Sequence, residues 1–475
     1  MYLDKSTREG LERPFNFNMM RKSLGQVLTP SLLFALAATG VILFVFFQIP
    51  ANFAFLFFVS IIVFLVAFAN ADIALIILLL SMLLSPEFRT GSTGGREVAV
   101  RADDLFLFVI FFGWMAKMAL NKELGVLRTT PLNVIIIAYI VVCIFSSALG
   151  VMQDRINIRS SFFFNLKYIE YFLIFFMVTN NLKNLKQAKR FMFFLFLTYA
   201  IICLYSMTKI PLGGRITSPF EGKAGGGEPN TLGGYLLFMM ALSAGMMFYG
   251  RTRRNRILFL GLFCAALLPF MFTLSRGSWL AFFPMALALL VFTRRYKLPA
   301  IAVFILAVSA LPFVAPHQVK ERVQETFKSN KSTRLLGKDV YVSESAQARI
   351  NSWSVAFKKF NIRPVVGHGV PGGTVIDNQY ARVLIETGMV GFIIFVLILG
   401  LMCKTGFEVL RSSDSTDFAR GLSLGFLAGL VGLLFHSLSA ATFILVRIME
   451  PFWFVAAILF SLPVLIAKEK EIIPA

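Results

Sequence analysis

Long apolar runs joined by short polar links constrain the fold of this chain more than any other feature. A helix needs about 20 apolar residues to cross a bilayer, and fourteen runs come near that length. In lipid, only helices and closed barrels satisfy all of their backbone hydrogen bonds, and these runs are too long for barrel strands. The sequence therefore predicts an all-α polytopic membrane protein, with helices at roughly 31–49, 51–69, 71–85, 104–120, 131–150, 162–179, 190–208, 231–250, 257–274, 277–292, 299–316, 380–402, 419–440 and 451–467.

The composition supports this class. Hydrophobic residues occupy 57% of the 475 positions, 53 residues are Phe, and the mean hydropathy is +0.76. A soluble domain of this length would expose more charge. Only the short link around Asn70 and Asp72 separates the second run from the third, which is short. We therefore expect a bundle of about 12 to 14 spans.

Lysine and arginine in the connecting segments predict the orientation. With the N-terminus inside, the inside segments hold 23 basic residues and the short outside loops hold ten. The positive-inside rule then places both termini in the cytoplasm. The predicted organisation is a cytoplasmic segment at 1–30, eleven helices within 31–316, an external (periplasmic) loop at 317–379, three helices within 380–467 and a cytoplasmic tail at 468–475.

The external loop is the longest polar stretch, so aqueous chemistry is expected there. It contains ten Lys or Arg and five Asp or Glu. Long loops escape the positive-inside rule, so this excess charge can be inert. Alternatively, it attracts an anionic partner such as a lipid phosphate, a pyrophosphate or an acidic glycan. The net charge of +21 does not indicate nucleic-acid binding, because about half of it follows from topology.

An amphipathic helix is predicted within this loop, over 345–360. Its apolar side chains recur at helical spacing, and its basic side chains lie elsewhere around the helix. The apolar positions are Ile350, Trp353, Phe357 and Phe360, and the basic ones are Arg349, Lys358 and Lys359. Such a helix can lie in the lipid headgroup layer or cover the bundle as a packing helix, and the two roles are compatible. A tight glycine-rich turn around His368 then returns the chain to the membrane.

Two other external segments each carry an arginine at the membrane edge. Glycines near Arg215 let the backbone approach a ligand closely, and its guanidinium can clamp a phosphate; the alternative is a flexible connector. Arg276 lies in a very short turn before a helix, whose N-terminus suits an anion. Contact with lipid headgroups is the alternative for Arg276. No cysteine pattern indicates a disulfide framework or a metal site, since all four cysteines lie in predicted spans or at their ends.

Three groups of residues resemble the O-antigen ligase and O-antigen polymerase superfamily, the integral membrane glycosyltransferases of bacterial surface polysaccharides. The first group is 215–220 (Arg-Ile-Thr-Ser-Pro-Phe) with 228–235 (Glu-Pro-Asn-Thr-Leu-Gly-Gly-Tyr). The second is 275–279 (Ser-Arg-Gly-Ser-Trp). The third is 349–353, 367–369 (Gly-His-Gly), 377–380 (Asp-Asn-Gln-Tyr) and 386–391 (Glu-Thr-Gly-Met-Val-Gly). The resemblance covers about residues 160–400.

The resemblance implies a GT-C-like bundle that needs neither metal nor cofactor. It implies transfer of a glycan from an undecaprenyl pyrophosphate-linked oligosaccharide to an acceptor glycan or lipid, at the outer face of the bacterial inner membrane. It further implies that Arg215, Arg276 and Arg349 bind the donor pyrophosphate. A leaving pyrophosphate gains charge in the transition state, and fixed guanidinium groups stabilise that charge.

The catalytic base is expected near position 377. Ligases of this family typically carry a His before the Asn, whereas this chain has Asp377 before Asn378. Asp377 can act as the general base, His368 is the alternative, and Glu386 is the third predicted catalytic residue. The residues predicted to contact donor or acceptor glycan are Asn230, Trp353, Asn378 and Tyr380.

The Asp at position 377 favours a polymerase of O-antigen or exopolysaccharide repeat units. The alternative is a ligase that attaches the glycan to lipid A-core or another acceptor. A third hypothesis is a transporter or flippase of lipid-linked glycans, but transporters are usually built from repeated halves, and no repeat is evident. The pair Asp103-Asp104 is predicted to be a solvated helix start rather than a metal site. Lys167 and Glu170 are expected to form either an internal pair or part of the donor groove.

Overall fold

The computed structural model describes residues 51–85, 87–93, 96–120, 127–219, 227–314, 316–325, 332–335, 338–341, 344–373 and 376–472. The predicted cytoplasmic segment 1–30 and the predicted span 31–49 lie outside the described residues. The chain divides into two compact units, 1–62 and 63–475. The described residues of the first unit, 51–62, are helical, and the second unit contains the other elements.

The described residues form fifteen α-helices, two short 3-10 helices and two β-hairpins. The helices are α1 Ala51–Ala69, α2 Ala71–Leu84, α3 Ala102–Leu120, α4 Leu132–Met152, α5 Ile158–Asn181, α6 Leu185–Lys209, α7 Pro229–Phe248, α8 Arg253–Phe272, α9 Arg276–Phe292, α10 Lys297–Val314, α11 His317–Gln324, α12 Glu344–Ile362, α13 Gln379–Arg411, α14 Asp417–His436 and α15 Val446–Ile472. The 3-10 helices are Ile210–Leu212 and Thr442–Ile444. The strands are β1 Glu87–Thr93, β2 Arg96–Arg101, β3 Ser332–Leu335 and β4 Lys338–Tyr341.

Every predicted apolar run from 51–69 onward coincides with a described helix. Eight of the described helices are long and apolar enough to cross a membrane, namely α4, α5, α6, α7, α8, α13, α14 and α15. The apolar helices α2 and α9, and the apolar parts of α1 and α10, are shorter. The prediction of a multi-pass helical membrane protein is therefore confirmed.

The two antiparallel hairpins are a difference from the all-α prediction. β1 pairs with β2 from Glu87 opposite Arg101 to Thr93 opposite Arg96, and β3 pairs with β4. Both hairpins lie in polar connections between apolar runs. Their strands are short, so their period-two pattern is too brief to stand out in the sequence.

Polar side chains begin many of the helices. An N-cap oxygen accepts a hydrogen bond from a free backbone N–H of the first turn. Here the caps are Asn70, Asn157, Asn184, Thr252, Ser275, Asn378 and Thr416. These capping residues lie at the ends of polar links, so the sequence itself marks where these seven helices start.

Three helices form the centre of the bundle. Nearly all residues of α7 and α15, and most of those of α14, are buried. Small residues let membrane helices approach closely, and a Cβ on Gly245 of α7 would lie 2.3 Å from the Gly421 carbonyl oxygen of α14. On α15, Phe452 stacks on Phe426 with ring centroids 5.2 Å apart. These contacts fix the three helices against one another.

Ion pairs and hydrogen bonds of charged side chains connect the links between helices at each end of the bundle. At one end, Asp72 binds Arg190 at 2.7 Å, and Arg295 binds Asp417 at 3.0 Å. At the other end, called the site end below, Arg447 Nη1 donates to the carbonyl oxygens of Leu83 and Pro219 at 3.0 and 2.8 Å. The links at these two ends are those that the predicted topology assigns to the inside and the outside. The assignment of the site end to the exterior stays a prediction.

Helix α13 is broken at Gly388, whose backbone is non-helical with φ 66° and ψ −164°. The turn that follows α12 packs into the break. The N–H groups of Met389 and Val390 donate to the carbonyls of Pro364 and Val365 at 2.7 and 3.3 Å. A Cβ at Gly388 would lie 2.2 Å from the Val365 carbonyl oxygen. Both the dihedral angles and the close contact therefore require glycine at this position.

We predict that Gly388→Ala destabilises the protein, because this backbone region is nearly exclusive to glycine and costs other residues about 1–3 kcal/mol. The clash with Val365 adds to that cost. Thermal unfolding of the detergent-purified protein measures the effect. Gly400→Ala on the same helix is the matched control, since nothing lies within 4 Å of its added Cβ. Equal melting temperatures for the two variants would show that the break is not needed.

Candidate active site

The turn between α8 and α9 places Arg276 at a helix N-terminus. Ser275 caps α9 by accepting the Ser278 N–H at 3.3 Å, and its hydroxyl donates to Asn230 Oδ1 at 2.6 Å. Arg276 is half-buried at the first helical position. The N–H groups and dipole at this end favour an anion, and Arg276 adds a full positive charge beside them. The predicted glycan contact Asn230 thus holds the turn that carries Arg276.

Arg215 lies on the same turn. The Ile216 N–H donates to the Phe272 carbonyl at 3.1 Å, which fixes the chain against the end of α8. The Arg215 guanidinium lies 3.4 Å from the Thr273 carbonyl oxygen and 3.5 Å from that of Leu274. Its side chain is otherwise exposed. The structure therefore brings together two of the three arginines predicted to bind pyrophosphate.

A short segment after α14, Ser437 to Ser439, lies between Arg276 and the start of α13. On one side, a Cβ on Gly277 would lie 1.9 Å from Ser439 Oγ, so α9 packs directly on this segment. On the other side, the Asn378 side chain donates to the Leu438 carbonyl at 3.1 Å, and the Gln379 N–H donates to that of Ser437 at 3.0 Å. The start of α13 and the turn that carries Arg276 therefore both pack on the Ser437–Ser439 segment.

The predicted residues at the start of α13 differ in exposure. Asp377 is exposed to solvent. Asn378 is buried, and its Oδ1 caps α13 by accepting the Ala381 N–H at 2.9 Å. The Tyr380 hydroxyl donates to the Leu434 carbonyl at 2.7 Å. Asn378 and Tyr380 thus anchor the helix start, which leaves Asp377 as the carboxylate facing outward.

His368 lies in the glycine-rich turn and is mostly buried. Its Nε2 lies 2.8 Å from the Lys359 carbonyl oxygen, so Nε2 carries the proton and donates. Its Nδ1 then accepts from Arg155 Nη1 at 3.4 Å. Burial lowers the pKa of His368, and the nearby cations Lys359, Arg155 and Arg363 lower it further. The ring is therefore neutral, and both of its nitrogens have protein partners.

Glu386 lies in the first half of α13 and is buried. Its Oε1 accepts from Arg382 Nε at 2.6 Å, and its Oε2 accepts from the Tyr168 hydroxyl at 3.0 Å. The guanidinium carbon of Arg382 lies 5.5 Å from the centre of the Phe164 ring. Neither terminal amino group of Arg382 has a hydrogen-bond partner among the described residues. Sequence analysis missed Arg382, although an Arg four residues before a Glu in an apolar run is the spacing of an intrahelical ion pair.

The remaining predicted residues lie on or beside α12. The backbone of Arg349 belongs to this helix, while its side chain lies outside the described part of the structure. Trp353 is 41% exposed on the same helix. The cluster Ala356, Ile376 and Ile385 packs α12 against the first half of α13. The predicted amphipathic helix therefore lies next to Asp377 and Glu386.

A buried ionic cluster lies at the same end of the bundle. Arg101 contacts Asp103 and Glu450, and Lys167 Nζ lies 2.5 Å from Asp104 Oδ2 and 3.5 Å from Glu170 Oε2. The prediction that Asp103 and Asp104 form a solvated helix start is wrong. Both side chains are buried, because they neutralise cations from β2 and α5. Arg101 is close in the sequence, but Lys167 lies on another helix, so sequence spacing does not reveal it as a partner of Asp104.

Three of these carboxylates can also hold a metal ion. Asp103, Asp104 and Glu450 each offer an oxygen, and these oxygens lie within 4.8 Å of one another. Arg101 and Lys167 already supply two positive charges at the same place. A buried carboxylate is tolerated when a cation pairs with it. The ion pairs with Arg101 and Lys167 therefore explain much of the burial of these carboxylates.

Comparison with protein families bears directly on this site. Residues 270–396 match the family model of the O-Antigen ligase. The matched O-antigen ligase segment runs from the end of α8 to the second half of α13, so it includes Arg276, Arg349, His368, Asp377 and Glu386. Members of this family are enzymes that transfer lipid-linked glycans. A search of curated proteins found no match to the chain.

The match confirms the resemblance to the O-antigen ligase family over that segment. Arg215 and Asn230 lie before it, and the structure connects them to it through the bonds to Thr273, Leu274 and Ser275. The candidate site therefore extends beyond the matched O-antigen ligase segment.

We predict that Arg382→Met destabilises the protein by about 3–5 kcal/mol, because it leaves the buried Glu386 charge without its partner. The double variant Arg382→Met/Glu386→Met should recover most of this loss. Lys404→Met is the matched control, since Lys404 faces Glu408 at the same spacing on the same helix but is exposed; its effect should stay below about 1 kcal/mol. Thermal unfolding measures all three, and a double variant as unstable as the single one would contradict the pairing.

Proposed function

We propose that this protein transfers a glycan from undecaprenyl pyrophosphate to a sugar hydroxyl at the outer face of the bacterial inner membrane. One observation carries the proposal. Arg215 and Arg276 share a turn at a helix N-terminus, and the exposed Asp377 lies across the Ser437–Ser439 segment from it. Two cations and a carboxylate at one end of a membrane bundle suit the displacement of an anionic leaving group.

The donor pyrophosphate binds Arg215, Arg276 and Arg349 in this proposal. As the bond between the anomeric carbon and the pyrophosphate oxygen breaks, the electron pair leaves with that oxygen. The negative charge on the pyrophosphate then increases, and guanidinium groups held in place stabilise it without reorganisation. The N-terminus of α9 acts in the same direction.

The acceptor hydroxyl forms the new bond to the anomeric carbon and loses its proton. Asp377 is the candidate general base, because its carboxylate is exposed while both nitrogens of His368 and both oxygens of Glu386 are already engaged. His368 and Glu386 then act as positioning residues that hold the turn and the first half of α13. Trp353 offers an exposed aromatic face to the glycan, and the Asn378 and Tyr380 contacts hold Asp377 in place.

The Asp at position 377 favours polymerisation of repeat units, such as those of O-antigen or exopolysaccharide. The alternative is a ligase that joins the glycan to lipid A-core or another acceptor, which the matched family segment favours. Incubation of purified protein with lipid-linked repeat units separates the two. A ladder of product sizes supports the polymerase, a single block on a different acceptor supports the ligase, and the absence of any covalent product contradicts both.

We predict that Arg276→Ala lowers turnover of lipid-linked donor by about 10²–10³-fold, the usual cost of losing one group that stabilises transition-state charge. Arg159→Ala is the matched control, because Arg159 is an exposed arginine in the first turn of α5, at the same end of the bundle. Product formation is measured in proteoliposomes, with folding checked by thermal unfolding. Normal turnover in a folded Arg276→Ala protein would remove Arg276 from the mechanism.

We predict that Asp377→Asn lowers kcat by about 10²–10⁴-fold, the range for loss of a general base. Donor binding should change little, because the pyrophosphate contacts remain. Asp154→Asn is the control, since Asp154 is also an exposed aspartate at the site end. If Asp377→Asn weakens donor binding and leaves kcat unchanged, Asp377 is a binding residue instead.

A further inference from the structure

The end of α12 and the turn after it carry exposed apolar side chains at an unexpected position. Ile362 is 66% exposed and Val365 is 59% exposed. The predicted topology places both residues in an external loop, where water would surround them. The structure instead bonds this turn to α13 at Met389 and Val390, ten residues beyond the start of that helix.

The length of α13 after the break indicates how deep in the membrane this contact lies. The first charged residue after the break is Lys404, whose side chain is 69% exposed. Residues 389–403 form an apolar helix of about 22 Å at 1.5 Å per residue, which is shorter than the hydrocarbon core of about 30 Å. Even if the polar boundary lies at Glu408, the helix from Met389 measures about 28 Å, and any tilt reduces the depth it spans. Gly388 therefore lies at or below the hydrocarbon boundary of the site end.

Exposed apolar residues continue across this contact. On α13, Met389, Val390 and Ile393 are 43%, 38% and 52% exposed. Because the Val390 N–H donates to the Val365 carbonyl, Val365 lies beside this lipid-facing strip. Val365 thus extends this apolar strip, while Arg363, which is half-buried, lies between Ile362 and Val365 in the chain.

Irregular backbone is tolerated at membrane depth only where its polar groups are satisfied inside the protein. The four carbonyls from Arg363 to Val366 each have a donor in the protein. Those of Arg363, Pro364 and Val365 accept from the N–H groups of Gly367, Met389 and Val390, at 3.2, 2.7 and 3.3 Å. The Val366 carbonyl accepts from the Ser146 hydroxyl of α4 at 2.5 Å.

The carbonyls that the break frees in α13 are satisfied as well. Those of Ile385 and Glu386 accept from the N–H groups of His368 and Gly369 at 2.7 and 2.9 Å. The Ser146 hydroxyl also lies 2.6 Å from the Glu386 carbonyl oxygen. In a loop surrounded by water, these carbonyls would not need donors from the protein, because water would supply the hydrogen bonds.

We propose that residues 362–366 are a re-entrant segment of the external loop, with Ile362 and Val365 in contact with lipid acyl chains of the leaflet at the site end. The partner is the hydrocarbon region of the bilayer. Phe357, exposed earlier on α12, then lies at headgroup level, where an amphipathic helix can bury its apolar face. The turn that holds His368 is in this way fixed to the membrane surface.

Spin-label accessibility in lipid nanodiscs tests the proposal. The full-length parent carries Cys264→Ser and Cys403→Ser, since the other two cysteines are buried. Ile362→Cys and Val365→Cys are labelled separately, with Ile393→Cys as the lipid-facing reference and Ser354→Cys, exposed on α12, as the aqueous reference. The readout is the ratio of collision rates with oxygen, which partitions into lipid, and with a water-soluble nickel chelate.

We expect the ratios at positions 362 and 365 to lie nearer that of Ile393→Cys. Ratios nearer that of Ser354→Cys would overturn the proposal. Ile362→Trp gives a second readout that needs no label, because lipids brominated on their acyl chains should quench the added fluorescence. If those lipids do not quench Ile362→Trp, and the melting temperature of this variant is unchanged, the proposal is also overturned.

Discussion

Satisfaction of the backbone inside lipid is the constraint on which the rest of this structure depends. A straight α13 would need no help, but the break at Gly388 frees two carbonyls and two N–H groups of that helix. The turn that follows α12 supplies a partner for each of them, from Pro364 to Gly369. Since unsatisfied buried backbone groups are costly, the break in α13 depends on the turn that packs into it. The hydrogen bonds between the turn and α13 hold the predicted external loop against the bundle.

The candidate site follows from this arrangement. The first half of α13 ends at the break and starts at Asn378, so the turn determines where Asp377 lies. On its other side, the Ser437–Ser439 segment joins that helix start to the turn of Arg276 and Arg215. Residues separated by more than 150 positions are thus gathered around one short connection. Arg215 is exposed there and Arg276 is half-buried, while the Arg382–Glu386 pair and Arg101 are buried.

Much of the fold could be predicted from the sequence. Hydrophobic runs mark helices strongly because lipid permits few other structures, and the polar caps at Asn157, Ser275 and Asn378 mark helix starts. The site could be predicted in part. Arg215 contacts the turn that carries Arg276, while their role in binding pyrophosphate stays a prediction. Asp103 and Asp104 were expected in solvent and are buried. An acidic pair looks the same in a sequence whether it meets water or a lysine of another helix, as Asp104 meets Lys167.

The sequence by itself determined the helical class, the positions of the spans and the residue types available at the site end. These depend on local hydrophobicity and capping, which act over a few turns of one helix. Only the tertiary structure decided that α13 is broken, that Tyr168 donates to Glu386 and that Arg101 pairs with Glu450. Those features are hydrogen bonds and ion pairs between distant segments, whose energies depend on which groups are left unpaired after packing. No local pattern carries that information.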